Sequence, residues 1–189
     1  GAAKGTSLGD SYRIARASDP VSAFGGIAAF NGVVDEDAAT AMTEKGNFLE
    51  VVIGLDFTPE ALAMFKDRSG WGQDVRLLAA PMTTREPELT IKSIRGGALV
   101  QDSDEDPCSN WRVVTKAQPT SEQMASLKFL WSVIPHVKSN AIVVGNSNRL
   151  LGVGAGQMNR VQSVRLALEQ AGAGAVGAAL ASDAFFPFP

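Results

Sequence analysis

The 189-residue sequence contains a single cysteine, Cys108, and a single histidine, His136. One cysteine excludes a disulfide within the chain and fits a reducing, cytoplasmic setting. One histidine excludes a histidine-based metal site and leaves too few ligands for a Cys-His one. Cys108 sits in the acidic stretch SDEDPCSN (103–110), where neighbouring carboxylates favour the thiol over the reactive thiolate. The acidic run Asp102, Asp104, Glu105 and Asp106 lacks the Gly and the terminal Glu of a calcium loop, so it reads as a solvated face. There is no excess of base either: 17 Lys and Arg stand against 20 Asp and Glu, for a net charge of −3. A broad electrostatic grip on nucleic acid is excluded. No apolar run approaches the roughly 18–20 residues that span a bilayer, and GAAKGTSLGDSYR at the start has no apolar core of a signal peptide. Neither a membrane nor a nucleic acid is an expected partner. The sequence does not begin with Met, and it stops on the apolar clusters of SDAFFPFP, so both ends are expected to be cut from a longer chain.

What is there is ordinary for a globular protein: 45% hydrophobic and 20% charged residues, in a length sufficient for one substantial domain or two small lobes. Residues 7–17 place Leu8, Tyr12, Ile14 and Ala15 on one helical face. After the breaker Asp19-Pro20, AFGGIAAF (23–30) reads as a buried strand. VDEDAATAM (34–42) has the acidic start of a helix, LEVVIG (49–54) is a second buried strand, and Thr58-Pro59-Glu60 opens a helix. VRLLAA (75–80) is a third strand. This alternation predicts an α/β layer with a largely parallel sheet. Residues 81–118 then break the pattern with Pro, Asp and Ser clusters around TIKSI (90–94) and ALVQD (98–102). Thr120-x-x-Gln123 is a capping-box pattern that opens a long helix over 121–135. Strands follow at NAIVV (140–144) and RLLGV (149–153) around a turn at GNSN, with a helix from about 157. The expected organisation is a first α/β lobe over 1–95, a connector over 96–118 and a second α/β lobe over 119–189.

Four segments offer chemistry. GVGAGQMNRV (152–161) is a Gly-rich turn between strand and helix, where backbone N–H groups and the helix N-terminus attract an anion and Arg160 adds a charge. The same glycines equally serve a tight connection. A dinucleotide fingerprint is excluded, because the third glycine of G-x-G-x-x-G falls on Gln157. In VKSNAIVV (137–144), Asn140 at a strand end can donate and accept at once, as a substrate amide requires, although such an Asn is also a common turn or cap residue. In SDPVSAFGGIAAF (18–30), Phe24-Gly25-Gly26 suggests bare backbone against which something flat can lie, or a bulge. The phenylalanines of SDAFFPFP (182–189) suit either a stacked ring or a core.

Taken in order, SDPVSAFGGIAAFN, VKSNAIVV, GVGAGQMNRV and SDAFFPF resemble the aminoimidazole carboxamide ribonucleotide (AICAR) transformylase portion of the bifunctional purine-biosynthesis enzyme. That enzyme's other portion is an inosine-monophosphate cyclohydrolase, which this sequence does not resemble. The resemblance runs over the whole chain. It implies an α/β fold of duplicated cytidine deaminase-like lobes, the second truncated, with active sites formed across a homodimer. It implies transfer of a formyl group from 10-formyltetrahydrofolate, a co-substrate, to the 5-amino group of the AICAR nucleotide, with no metal. Residue by residue it assigns Asn140 to positioning the nucleotide, with Gly25, Glu50, Arg160 and Phe185 also on the nucleotide side. Val21 and Val161 are assigned to the folate.

Two departures accompany it. The family's Lys-His pair, base and oxyanion stabiliser, belongs to a motif that ends at the glycine matching Gly1. Its second histidine would lie after Pro189. His136 matches neither, so the chain alone is expected to be inactive. The rival expectations are a non-catalytic nucleotide- or folate-binding module and a purely structural oligomerisation domain. Strands deprived of sheet partners associate readily, which also predicts a dimer or larger assembly.

Overall fold

In the computed structural model, residues 1–81, 89–103 and 110–186 are described. The helices begin where short polar side chains can take up a free N–H of the first turn. Ser7 caps α1 (Leu8–Ala17), and Asp35 caps α2 (Glu36–Thr43). Thr58 caps α3 (Pro59–Asp67), with Pro59 in its first turn. Thr120 and Gln123 close a full capping box on α4 (Ser121–Val133), which continues into a 3-10 turn at Ile134–His136. Asn159 caps α5 (Arg160–Ala171) by accepting from the Gln162 N–H at 2.8 Å.

In the first lobe, β1 (Gly26–Ala29), β2 (Val33–Val34), β3 (Leu49–Gly54), β4 (Asp56–Phe57) and β5 (Arg76–Ala79) alternate with α2 and α3. Helical crossovers permit parallel pairing, and the three-stranded sheet of order β1-β3-β5 is parallel throughout, as is the short β2–β4 pair. Its core is apolar: Val34, Met42, Val52 and Phe65 are fully buried, with Ala38, Ala39, Ala41 and Ala61 letting the helices approach.

The expectation of a buried strand over 23–30 needs correction. Only Gly26–Ala29 is strand, and Ile27 is 68% exposed. β1 is the edge of this sheet among the described residues, and along it Ile27 and Ala29 share the exposed face. Residues 19–25 form a turn instead, held by the Ser22 N–H on the Asp19 carboxylate at 3.0 Å and the Ala23 N–H on the Asp19 carbonyl at 3.1 Å.

A second correction concerns the sheet of the C-terminal lobe, where the strands are β8 (Ile142–Gly145), β9 (Leu150–Gly154) and β10 (Ala179–Ser182), in the order β10-β8-β9. Both pairings are antiparallel. The cause is the connection between β8 and β9. Asn146 turns the chain by accepting from the N–H groups of Asn148 and Arg149 at 3.2 and 3.1 Å, and so short a link joins only antiparallel strands. The fold is therefore mixed α/β, parallel in one lobe and antiparallel in the other. β8 is buried along its whole length, between Phe129, Leu130 and Ile134 on one side and Ala167 of α5 on the other.

Residues 1–81 and 119–189 form one compact unit and 82–118 another. In the second unit, β6 (Leu89–Ile94) and β7 (Gly97–Asp102) make an antiparallel hairpin. The lobe boundary expected at 95/96 falls in the turn of this hairpin. In the first unit, the chain's opening residues join the two lobes. Ala3 bridges Arg149, the Leu150 N–H donates to the Ala2 carbonyl at 3.0 Å and the Lys4 N–H to the Asn148 carbonyl at 2.7 Å. The Ser18 hydroxyl adds a bond to the Leu150 carbonyl at 2.6 Å. Among the described residues no helix is long and apolar enough to cross a membrane.

Candidate functional site

Where β8 begins, β10 ends and α5 starts, polar side chains gather beside an otherwise apolar layer. Asn140, just ahead of β8, follows a cis peptide bond from Ser139. Its Nδ2 donates to the Gln157 carbonyl at 2.7 Å, and its own carbonyl accepts from the Ser163 hydroxyl at 2.8 Å. Arg160, the first residue of α5, reaches back across the strand ends. Its Nη2 donates to Asn140 Oδ1 at 2.8 Å, and its Nη1 donates to Ser182 Oγ at 2.8 Å and to the Asp183 carboxylate. The two sequence candidates Asn140 and Arg160 are thus in direct contact.

Burial tends to raise the Asp183 pKa, but it is outweighed. Bonds from the Ser139 hydroxyl, the Arg160 guanidinium and the Ala141 backbone, with the Arg160 charge, hold the carboxyl below its ordinary range. Asp183 therefore stays ionised opposite Arg160 at neutral pH. Neither Asp183, Ser182, Gln157 nor Ser163 was singled out in the sequence. The available signal was Ser182-Asp183, a polar pair set directly against an aromatic run.

The glycines of the 152–161 turn have a packing explanation. A Cβ on Gly154 would overlap the Ser163 carbonyl, and one on Gly152 that of Ala167. Only bare backbone lets β9 lie this close under α5. Gly156, at φ +67°, turns the chain toward the helix, with its N–H on the Lys138 carbonyl at 2.7 Å. Val161, next to Arg160, is exposed, as are Met158 and Phe185, so an apolar rim adjoins the polar network in sequence.

A second group of candidates lies in the first lobe. Gly25 adopts φ +69°, and its N–H donates to the Phe48 carbonyl at 3.0 Å. A Cβ there would stand 3.3 Å from the Phe48 ring and 3.7 Å from a Glu50 carboxylate oxygen. Phe24 leans on Phe48 with ring centroids 5.2 Å apart. Gly25 and Glu50 are therefore neighbours, and Val21 stands exposed in the same turn. Among the described residues, no hydrogen bond, ion pair or ring contact joins this group to Asn140 and Arg160. His136 is exposed at the end of its 3-10 turn. Cys108 and the acidic residues 104–106 lie outside the described residues. Among the described residues no cluster of His, Cys, Asp or Glu is arranged to hold a metal ion.

Comparison with known sequences decides the relationship. The family model described as "AICARFT/IMPCHase bienzyme" matches residues 1–170. The chain belongs to the AICARFT/IMPCHase bienzyme family. Relatives include the "Bifunctional purine biosynthesis protein PurH" of Acaryochloris marina, 48% identical over 190 residues, which take in 100% of this chain and 35% of the relative. The PurH of Trichodesmium erythraeum is 51% identical over 179 residues, covering 94% of this chain and 34% of the relative. That of Desulfitobacterium hafniense strain DCB-2 is 48% identical over 193 residues, covering 98% and 36%. The chain spans about a third of the length of these bienzyme relatives. Asn140 and Arg160 fall within the family match, and the Asp183 end of the network falls within the longer alignment to the A. marina protein.

Proposed function

We propose that this chain carries part of the site at which a formyl group passes from 10-formyltetrahydrofolate to the 5-amino group of AICAR. The observation that carries the reading is the Asn140–Arg160–Asp183 network, set where three elements converge. The amine of AICAR is a poor nucleophile, since its lone pair is drawn toward the adjacent carboxamide. Its reaction depends on alignment with the formyl carbon and on a held carboxamide. Asn140 is suited to that task. One of its amide N–H groups and one lone pair are already spent on Gln157 and Arg160, which fixes the side chain's orientation and leaves one donor and one acceptor for the ligand. Arg160 lies beside it with further donors. Gly25, Glu50 and Phe185 complete the nucleotide side in this reading, and Val21 and Val161 the folate side.

The same reading treats the chain as a binding fragment of a formyltransferase that does not turn over alone. Its one histidine is exposed, and among the described residues no hydrogen bond or ion pair links it to the network. The lobes are read as the duplicated cytidine deaminase-like units, and a homodimer as the assembled state. The hairpin β6–β7, which exposes Leu89, Ile91, Leu99 and Val100, supports association. The test is calorimetric titration of AICAR into the chain and its Asn140→Ala variant. An affinity lowered at least about tenfold in the variant is expected. Equal affinities would remove Asn140 from the site.

One observation favours a structural alternative. Asn140, Arg160 and Asp183 satisfy one another without a ligand, as a staple between strand ends would. On that reading Asn140→Ala and Arg160→Ala lower stability and leave AICAR affinity unchanged.

A further inference from the structure

We propose that Asp183 is a positioning residue that acts through Arg160, fixing the guanidinium so that its remaining donors are presented beside Asn140. This rests on the reading of Asn140 and Arg160 as a nucleotide site. Nothing in the sequence patterns or in the names of the relatives gives Asp183 a role.

The argument begins with donors. A guanidinium has five N–H groups in a rigid plane. Ser182 and Asp183 take both from Nη1, and Asn140 takes one from Nη2. Nε–H and the second Nη2 hydrogen have no partner among the described residues. Three acceptors from two separate chain segments define the plane, so these last two hydrogens are fixed in direction before any ligand arrives.

Asp183 is the charged member of the three, and charge-assisted bonds are the stronger ones. Its side chain is only 20% exposed and that of Arg160 only 12%, so water competes weakly with the pair. Asp183 is itself tied down. Its N–H donates to the Ala141 carbonyl at 3.2 Å, and Ser139 donates to its carboxylate. Ser139 and Ala141 flank Asn140 in sequence, so the residues that hold Asp183 are the neighbours of the residue that Arg160 holds. The result is a closed ring: Asn140 to Arg160, Arg160 to Asp183, Asp183 back to the Ser139 side chain and the Ala141 backbone on either side of Asn140. A ring of this kind fixes the relative placement of an amide and a cation, which recognition of a carboxamide needs and a simple strand staple does not.

Two measurements on the 189-residue chain test this. With 15N-labelled arginine, the Arg160 Nη hydrogens are expected to give separate, exchange-protected signals that merge or vanish in Asp183→Asn. Signals that persist unchanged in that variant would overturn the proposal, whether or not nucleotide binds. The second measurement is AICAR affinity in the wild type, Asp183→Asn, Arg160→Lys and the double variant. Lys keeps the charge but not the planar fork. Asp183→Asn is expected to weaken binding at least about tenfold when Arg160 is present, and less than about twofold in the Arg160→Lys background. Equal losses in both backgrounds would mean that Asp183 merely supports the fold, and would sink the idea. Absence of AICAR binding by the wild type would remove the functional reading and leave the nitrogen signals to decide positioning. Should Asp183→Asn fail to fold, Asp183→Glu displaces the carboxylate by one methylene. Weakened AICAR binding by that folded variant is expected, and unchanged affinity would count against Asp183.

Discussion

The two lobes solve the same problem, covering a three-stranded sheet with helices, by different means. The first has a parallel sheet whose interior is filled by Val34, Met42, Val52 and Phe65, with alanines on the helices that face it. The second has an antiparallel sheet whose apolar core is split into two clusters, one on each side of β8, and at one end a polar ring of Asn140, Arg160, Ser182 and Asp183. Burying that ring costs desolvation which aliphatic residues would avoid. The comparison teaches where to look for chemistry: in the lobe that sets polar and charged side chains where apolar ones would avoid the desolvation.

The sharpest way to break this comparison is Phe65→Ala. A fully buried ring replaced by a methyl group should cost about 3–5 kcal/mol, measured by chemical denaturation, while the folded fraction keeps its AICAR affinity. A parallel loss of affinity would mean that the first lobe's core is coupled to the site. Next is Arg160→Ala, which removes the charged partner of a partly buried carboxylate and should cost about 2–3 kcal/mol. It is expected to lower AICAR affinity at least about tenfold as well. Stability loss without affinity loss would make the ring a staple. Gly25→Ala forces a Cβ into the left-handed region and should cost about 1–2 kcal/mol, read as a lower melting temperature. An unchanged melting temperature would mean that the turn relaxes to another conformation.

The smallest effect concerns pH. Because the Asp183 pKa is depressed in the folded state, its contribution to stability is complete well above the ordinary value of 3.8 and fades as pH falls through and below it. The stability difference between wild type and Asp183→Asn should therefore shrink on acidification toward pH 3. A difference that stays constant would show that Asp183 is not the charged partner.

Much of the scaffold was readable from local chemistry. Thr120 with Gln123 and Thr58 with Pro59 marked helix starts because capping is settled within four residues. The antiparallel second sheet was also implied, since the turn at 145–148 is too short for a crossover, yet the alternation of strand and helix suggested otherwise. The edge position of β1 was not readable: AFGGIAAF is apolar, and only its distant neighbours decide which side stays open. Nor was Asp183. Its partner Arg160 lies 23 residues away, and the aromatic run that follows drew attention to stacking. Asn140 and Arg160 were found because their motifs carry them, but their contact is a product of the tertiary fold.

The clasp of Ala2–Lys4 on residues 148–150 bears on the order in which the molecule comes into being. During synthesis these residues leave the ribosome some 145 residues ahead of the strand that receives them, so they must wait unpaired. Closing so long a loop is entropically costly and belongs late in assembly. The clasp also joins 1–81 to 119–189 without relying on the intervening segment. A protease cut within 82–118 would then leave two polypeptides held together as one body, and a nicked protein should elute in gel filtration with the uncut one.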